Sequence, residues 1–289
     1  MSFPFGDNFT KEEFLFEFPC SSDKIGKIDV FAEIDSTNAH LLRTATSLLP
    51  LLTESGTPTS SGAAFDRTVA LAASQTAGRG RLGRTFFSPD ASGVYFSFAL
   101  VPTGGIKDPA SFTATAAVGV CRALEGLSGE QCQIKWVNDI FCRGKKVCGI
   151  LSEGVVNPQS QQIEAVVVGI GINILPSTNI PHELRESAGA LCDERFLNEH
   201  HITRMKVASR CVKEIFTLLD APSCSDVLQE YKRRSLLIDK SVTVFPVIGE
   251  HKSFTARVLD VAGDFSLVVE LENGTQKLLH SGEVSLHQG

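Results

Sequence analysis

The chain is 289 residues long and 43% hydrophobic, enough for one large core or for a large core and a small one. No apolar run reaches the length needed to span a bilayer. With 27 Lys and Arg against 33 Asp and Glu, the formal net charge is −6; bulk attraction to nucleic acid or an anionic membrane is disfavoured, and any functional positive charge must be local.

In chain order, residues 1–25 are irregular, with Phe3, Phe5, Phe9, Phe14, Phe16 and Phe18 too unevenly spaced to define an element; part of the segment is expected to pack across the main domain. Residues 28–34 alternate as a strand. Asp35, Ser36, Thr37 and Asn38 then open a helix over 39–49, since such side chains accept the unpaired N–H groups of a first turn. The same polar cluster stands where a helix N-terminus can meet a ligand, and both readings can hold. Residues 50–66, rich in Ser, Thr, Gly and Pro, read as a surface insertion without chemistry. Residues 68–73 and 93–101 read as strands, and 109–127 as an Ala-rich scaffold helix.

Next, residues 133–139 form a strand ending in a turn that carries Lys135, Asn138 and Asp139. Residues 140–142, a turn over 143–146 and residues 147–155 make a hairpin. Residues 163–174 are a very apolar strand containing Gly169, Gly171 and Asn173, and glycines inside a strand mark a bulge or close approach by a ligand. Residues 181–190, 203–219 and 222–234 read as structural helices. Short strands over 241–248, 254–261, 265–271 and 276–279 then suggest a small barrel of roughly 50 residues packed on the main domain.

Residues 74–98, SQTAGRGRLGRTFFSPDASGVYFSF, link two strands by a loop and set Arg79, Arg81 and Arg84 among Gly78, Gly80 and Gly83. Glycine lets the backbone approach a ligand closely, and the guanidinium supplies a permanent charge and a planar fork of donors. Three readings stand: a solvated basic loop, an RGG-like nucleic-acid segment, or a flap closing over a small anion. The single occurrence, the flanking strands and the acidic chain argue against the second.

Several chemistries find no support. Gly169-x-Gly171 lacks the third glycine and the following helix of a dinucleotide fingerprint, and no Walker-type G-x-x-x-x-G-K-[ST] occurs. The eight cysteines contain no C-x-x-C or zinc spacing and read as buried thiols; no tightly bound transition metal is expected. Asp7, Glu12 and Glu13, with no arginine before Arg43, argue against secretory and mitochondrial addresses, so the expected location is cytoplasmic.

Taken together, STN (36–38), SQTAGRGRLGR (74–84), KWVND (135–139), KKVCGIL (145–151), GIGIN (169–173) and SGEVSL (281–286) resemble the biotin protein ligases in order and spacing, over roughly residues 26–289. The resemblance implies an α/β protein of α+β type. A mixed-sheet catalytic domain of the class II aminoacyl-tRNA synthetase/biotin synthetase-like kind would span 1–237, and a C-terminal SH3-like β-barrel 238–289. It implies ATP-dependent activation of biotin to biotinyl-5′-adenylate, then transfer to a lysine of a biotin carboxyl carrier domain, with Mg2+ accompanying ATP. By the same resemblance Lys146, Arg79 and Arg81 are catalytic. Ser36, Thr37, Asn38, Gln75, Gly78, Gly80 and Gly149 join them around biotin; Arg84, Lys135, Asn138, Asp139, Gly171 and Asn173 join Arg81 and Lys146 around the nucleotide, with Asp139 toward Mg2+. No membrane or DNA partner is expected, since the stretch before Ile28 offers no room for a winged helix-turn-helix, and the chain is expected to be a monomer or homodimer. Val137 replaces the proline of the family's KWPND, and the 50–66 insertion is long. A lipoate or octanoyl ligase or transferase of the same fold, or an inactive binding module, are the alternatives.

Overall fold

The protein is described by a computed structural model over residues 8–18, 24–90, 92–106, 109–177, 180–220, 224–246, 252–280 and 282–286. Its main sheet holds β1 (Ile28–Ile34), β2 (Val69–Gln75), β3 (Gly93–Leu100), β4 (Cys132–Lys135), β5 (Asp139–Cys142), β6 (Lys145–Val156) and β7 (Ile163–Asn173) in the order β1-β2-β3-β7-β6-β5-β4. β1 and β2 are parallel and every other pair is antiparallel, so the sheet is mixed, as expected.

Period-two alternation sends the central strands into two apolar layers. On β7, Val166, Val168 and Ile170 join the layer made with α4 (Pro109–Ser128) and α6 (Arg204–Leu219). Ala165 and Val167 face the other way, with Leu41 and Ala45 of α2 (Thr37–Leu48) and Phe65 of α3 (Ser60–Phe65). Helices therefore cover both faces of the sheet.

Several expectations are corrected. Residues 11–17 are helical, α1 (Lys11–Glu17), capped by Thr10 and buried through Phe14, with Phe18 beyond its end also in the core; the uneven phenylalanines mix inward positions with the exposed Phe16. The packing of this segment across the main domain is as expected. Residues 50–66 are not a solvated insertion throughout: Leu51, Leu52 and Phe65 are buried, and the buried Glu164 carboxylate accepts the N–H groups of Leu51 and Leu52 at 2.6 and 3.3 Å. Residues 181–190 hold only a single 3-10 turn, His182–Leu184, continued by a turn over 185–187 and a bridge from Ala188 to Lys146, while α5 (Glu194–Glu199), capped by Asp193, was not anticipated.

After α7 (Cys224–Arg234), β8 (Ser241–Phe245), β9 (Phe254–Val261), β10 (Leu267–Leu271), β11 (Gln276–Leu279) and β12 (Glu283–Leu286) form a second, antiparallel sheet in the order β11-β10-β9-β8-β12. β12 is additional to the sequence reading, and Phe265, at φ +62, belongs to the preceding turn rather than to β10. This sheet docks behind the β4–β5 turn. Trp136 Nε1 donates to Phe265 O at 2.8 Å, Tyr231 Oη donates to Val137 O at 3.1 Å, and Lys232 pairs with Asp260 at 2.6 Å. All six cysteines whose side chains are described are buried, and no helix among the described residues is long and apolar enough to cross a membrane.

Candidate active site

On the α2 side of the sheet the odd positions of β7 run Ala165, Val167, Gly169, Gly171. Side chains fill the first two places and vanish at the next two, which opens a slot in an otherwise packed layer. Gly171 pairs directly with Gly149 of β6, so the floor is bare backbone across two strands. The floor has little tolerance for side chains: a Cβ at Gly169 would lie 2.0 Å from Asn38 Oδ1, and one at Gly171 2.4 Å from Phe86 Cε1.

A register shift brings a charge onto that floor. Opposite the shift between Ile140 and Phe141, Val147 and Cys148 are both buried in the core, so Lys146 emerges on the cleft face. Its Cε and Nζ stand 3.4 Å from the place of a Gly149 Cβ, and Nζ pairs with Asp139 Oδ1 at 2.7 Å. Behind it, burial pushes the Cys148 thiol well above its usual pKa, so this sulfur remains neutral.

At one end of the cleft the polar groups form a closed chain. Ser36 caps α2 by accepting Ala39 N–H, and Thr37 N–H donates to Gln75 Oε1 at 2.9 Å. Thr37 Oγ1 meets Ser97 Oγ at 2.7 Å, and Ser97 Oγ donates to Asn38 Oδ1 at 2.6 Å. Asn38 Nδ2 donates to Leu151 O and Glu153 Oε2 at 3.2 and 2.9 Å, so its buried amide is spent on the protein itself. At the other end, Asn138 Nδ2 donates to Ile150 O, and Asn173 Nδ2 to Gly189 O.

The Gly/Arg loop is a small hairpin over this slot. Arg79 and Thr85 bridge, Gly80 N–H donates to Arg84 O, and Leu82 and Gly83 take positive φ at the tip. Its arginines divide between the ends of the cleft. Arg79 Nη2 pairs with Glu153 Oε1 at 2.9 Å; Arg81 donates to Asn138 Oδ1 at 3.1 Å and to Gly282 O, of the C-terminal sheet's last connection, at 3.3 Å. Phe86 lays its ring on the glycine floor.

The cleft measures about 650 Å3. Ser36, Thr37, Asn38, Gln75, Arg79, Gly80, Arg81, Arg84, Lys135, Asn138, Asp139, Lys146, Gly149, Gly171 and Asn173 all line it, so the residues selected from sequence converge on one place. Gly78 does not line it; it sits at the loop's base, where a Cβ would come 2.4 Å from Phe86 O. The sequence reading missed Phe86, Ser97, Glu153 and Gly282, and it read 181–190 as scaffold. That stretch instead straps the cleft, with Lys146 N–H donating to Ser187 O at 2.9 Å and Gly189 N–H to Lys146 O at 2.7 Å. Among the described lining residues the cations are Arg79, Arg81, Arg84, Lys135, Lys146 and Arg185, and the only carboxylate is Asp139, in a chain of net charge −6. The cleft is built to hold anions.

Residues 59–173 match the model of the Biotin/lipoate A/B protein ligase family. A biotin–[acetyl-CoA-carboxylase] ligase of Mycobacterium tuberculosis is 30% identical over 264 residues, 89% of this chain and 88% of that protein. The bifunctional ligase/repressor BirA of Bacillus subtilis is 39% identical over 125 residues, 43% of this chain; the match spans only 38% of that relative's length. The solved biotin protein ligase of Aquifex aeolicus, in complex with biotin and ATP, superposes with a TM-score of 0.66 at 25% identity, over 91% of this chain and 99% of that one. The chain belongs to the Biotin/lipoate A/B protein ligase family and, within it, to the biotin protein ligases.

Proposed function

We propose that this protein is an ATP-dependent biotin protein ligase. A biotin carboxylate oxygen attacks the α-phosphorus of ATP and pyrophosphate leaves. A carrier-domain lysine amine then attacks the acyl carbon of biotinyl-5′-adenylate, giving the amide and AMP. The observation that carries the reading is the glycine-floored cavity beneath the arginine loop, with Lys146 turned into it. Two anions repel as they approach, and fixed cations in a cleft screened from water relieve that repulsion where it is greatest.

In this reading Ser36, held by its cap on Ala39 N–H, and Thr37 and Gln75, fixed on each other, receive the ureido ring, whose carbonyl accepts and whose two N–H groups donate. Gly149 and Gly171 bring backbone against the flat ligand. Lys146 meets the reacting carboxylate and α-phosphate together. Arg81, now on neutral acceptors, turns to the adenylate as the loop closes, and Arg84 and Lys135 stand toward the phosphates. Asn138 and Asn173 flank the adenine end. Asp139 suits Mg2+, which takes one or two carboxylates with substrate phosphates and water; the ion would supply charge neutralisation on the phosphates. The five-stranded C-terminal sheet is read as the SH3-like unit, over 238–289, beside a catalytic unit over 1–237. The acceptor is a biotin carboxyl carrier domain.

The test is ATP–pyrophosphate exchange with biotin or lipoate as the acid, followed by mass spectrometry of a carrier domain. Exchange that requires biotin, with one biotinyl mass added at a lysine, is the expected result; lipoate-dependent exchange alone would refute it.

A further inference from the structure

The carboxylate of Glu153 lies at the edge of the described cleft and has no role in the chemistry above. It sits on β6 with the same parity as Gly149 and Leu151, so it faces the cleft side of the sheet opposite Val167. Its two oxygens are divided: Oε2 accepts from Asn38 Nδ2 at 2.9 Å, and Oε1 takes the Arg79 guanidinium at 2.9 Å. Asn38 cannot turn away, because Ser97 donates to its Oδ1 and Leu151 O accepts from its Nδ2. The amide therefore fixes one oxygen of Glu153 and leaves the other aimed at the loop.

We infer that Glu153 is a positioning residue, the post that moors the Gly/Arg loop in the ligand-free protein and ties its register to the Asn38 wall. This rests on the reading of that loop as the flap of the biotin site. Beneath the flap lies a smaller cavity of about 330 Å3, lined by the loop residues 77–85 with Leu151 and Glu153, and Glu153 is the only carboxylate among its described lining residues. Arg81 rests on an amide oxygen and a carbonyl, both neutral, so of these two arginines it is Arg79 that carries an ionic tie, through Glu153; beyond the hairpin, Asp90 pairs with the buried Arg204 at 2.8 Å. With the flap ordered beforehand, less ordering remains to be done when biotin arrives.

The flap carries Arg79, Arg81 and Arg84, all sites for trypsin, so mooring can be read without catalysis. In ligand-free protein, E153Q keeps an acceptor for Asn38 but loses the charge facing Arg79. Flap cleavage followed by mass spectrometry should quicken about three- to fivefold, the range of a partly exposed ion pair, while cleavage elsewhere and the Tm stay put. Half-molar NaCl should move the wild type toward E153Q and quicken cleavage at Arg79 and Arg81 more in the wild type than in E153Q, and the wild-type arm needs no variant to fold. E153A, which also strips Asn38 of its partner, should raise the KM for biotin about tenfold with the KM for ATP little altered. Wild-type cleavage rates in E153Q, insensitivity of the wild-type flap to salt, or acceleration spread evenly over the chain would each overturn the mooring. Protection of the wild-type flap by biotin tests the biotin reading separately, so either idea can fail alone.

Discussion

Two walls face each other across the cleft, and they are held by different means. The floor, β6 and β7, is paired along its length from Val156–Ile163 to Cys148–Ile172, and Cys148, Ile150, Val166, Val168, Ile170 and Ile172 are sealed into the core. The flap, residues 76–90, is tied by a few backbone bonds at its base, by arginines resting on borrowed partners at either end and by Asp90 on the buried Arg204. The contrast teaches where stability and function part. Side chains had to be deleted from the floor to make room, so its fit is set by packing. The flap's side chains are half out in water, and what they do depends on what is offered to them.

That division can be broken most sharply at Lys146, the cation that β6 turns into the cleft. K146A should cut biotin-dependent ATP–pyrophosphate exchange by about 10²–10³, the usual cost of removing one donor to a developing charge, with Tm unchanged. Near-normal exchange would remove Lys146 from the chemistry. Next come the two floor glycines. G169A drives a Cβ into Asn38, whose amide is pinned on three sides, and should cost about 2–3 kcal/mol in denaturant unfolding. G171A meets only the Phe86 ring, carried on the flap, and should cost under about 1 kcal/mol while weakening biotin in calorimetry. Equal losses of stability would show that floor and flap are not separable. On the flap itself, R81A should speed dissociation of biotinyl-adenylate about tenfold and leave unfolding within about 0.5 kcal/mol of wild type; an unchanged off-rate would take Arg81 out of closure.

The smallest effect lies where α7 packs on α4, with Arg122 on Glu230 and Arg234 on both Glu125 and Glu230. Burial works to raise the Glu125 and Glu230 carboxyls, but Arg234 on the first, and Arg122 with Arg234 on the second, outweigh it, so both end below their ordinary values. A carboxyl depressed in the folded state stabilises above its unfolded pKa and ceases to do so as pH falls through its folded one. Thermal melts should therefore be flat above about pH 5 and fall by a few degrees below about pH 4. E230Q should flatten that fall; a variant as acid-sensitive as the wild type would exclude the cluster as its source.

Much of this architecture was legible in the chain. The alternation of 28–34, the cap at Ser36, the turn at Arg143-Gly144 and the apolar run of 163–173 name their own elements, because each depends on neighbours within a few residues. The site's residue types were legible too, through Gly169, Gly171 and the arginines between glycines. The errors fall where distant parts decide. The strap over 181–190 has the composition of a helix but stops after one 3-10 turn and a further turn, where Ser187 and Gly189 pair with Lys146 instead, and α1 is fixed by the pocket that takes Phe14. Glu153 escaped notice because a glutamate on a strand reads as an outward charge until Asn38 and Arg79 stand beside it.

The sequence by itself determined the main-sheet strands, the longer helices, the glycines of β7 and a cluster of arginines in a chain that is otherwise acidic. Only the tertiary structure decided which face Lys146 takes, since one extra residue at the β5–β6 register shift inverts the alternation. It also decided that Arg79 and Arg81 part to opposite ends of the cleft, and that Gly282 reaches in from the second sheet. Local pattern follows from bonds between near neighbours, whereas a side chain's partner across a cleft is fixed by how separately formed elements pack.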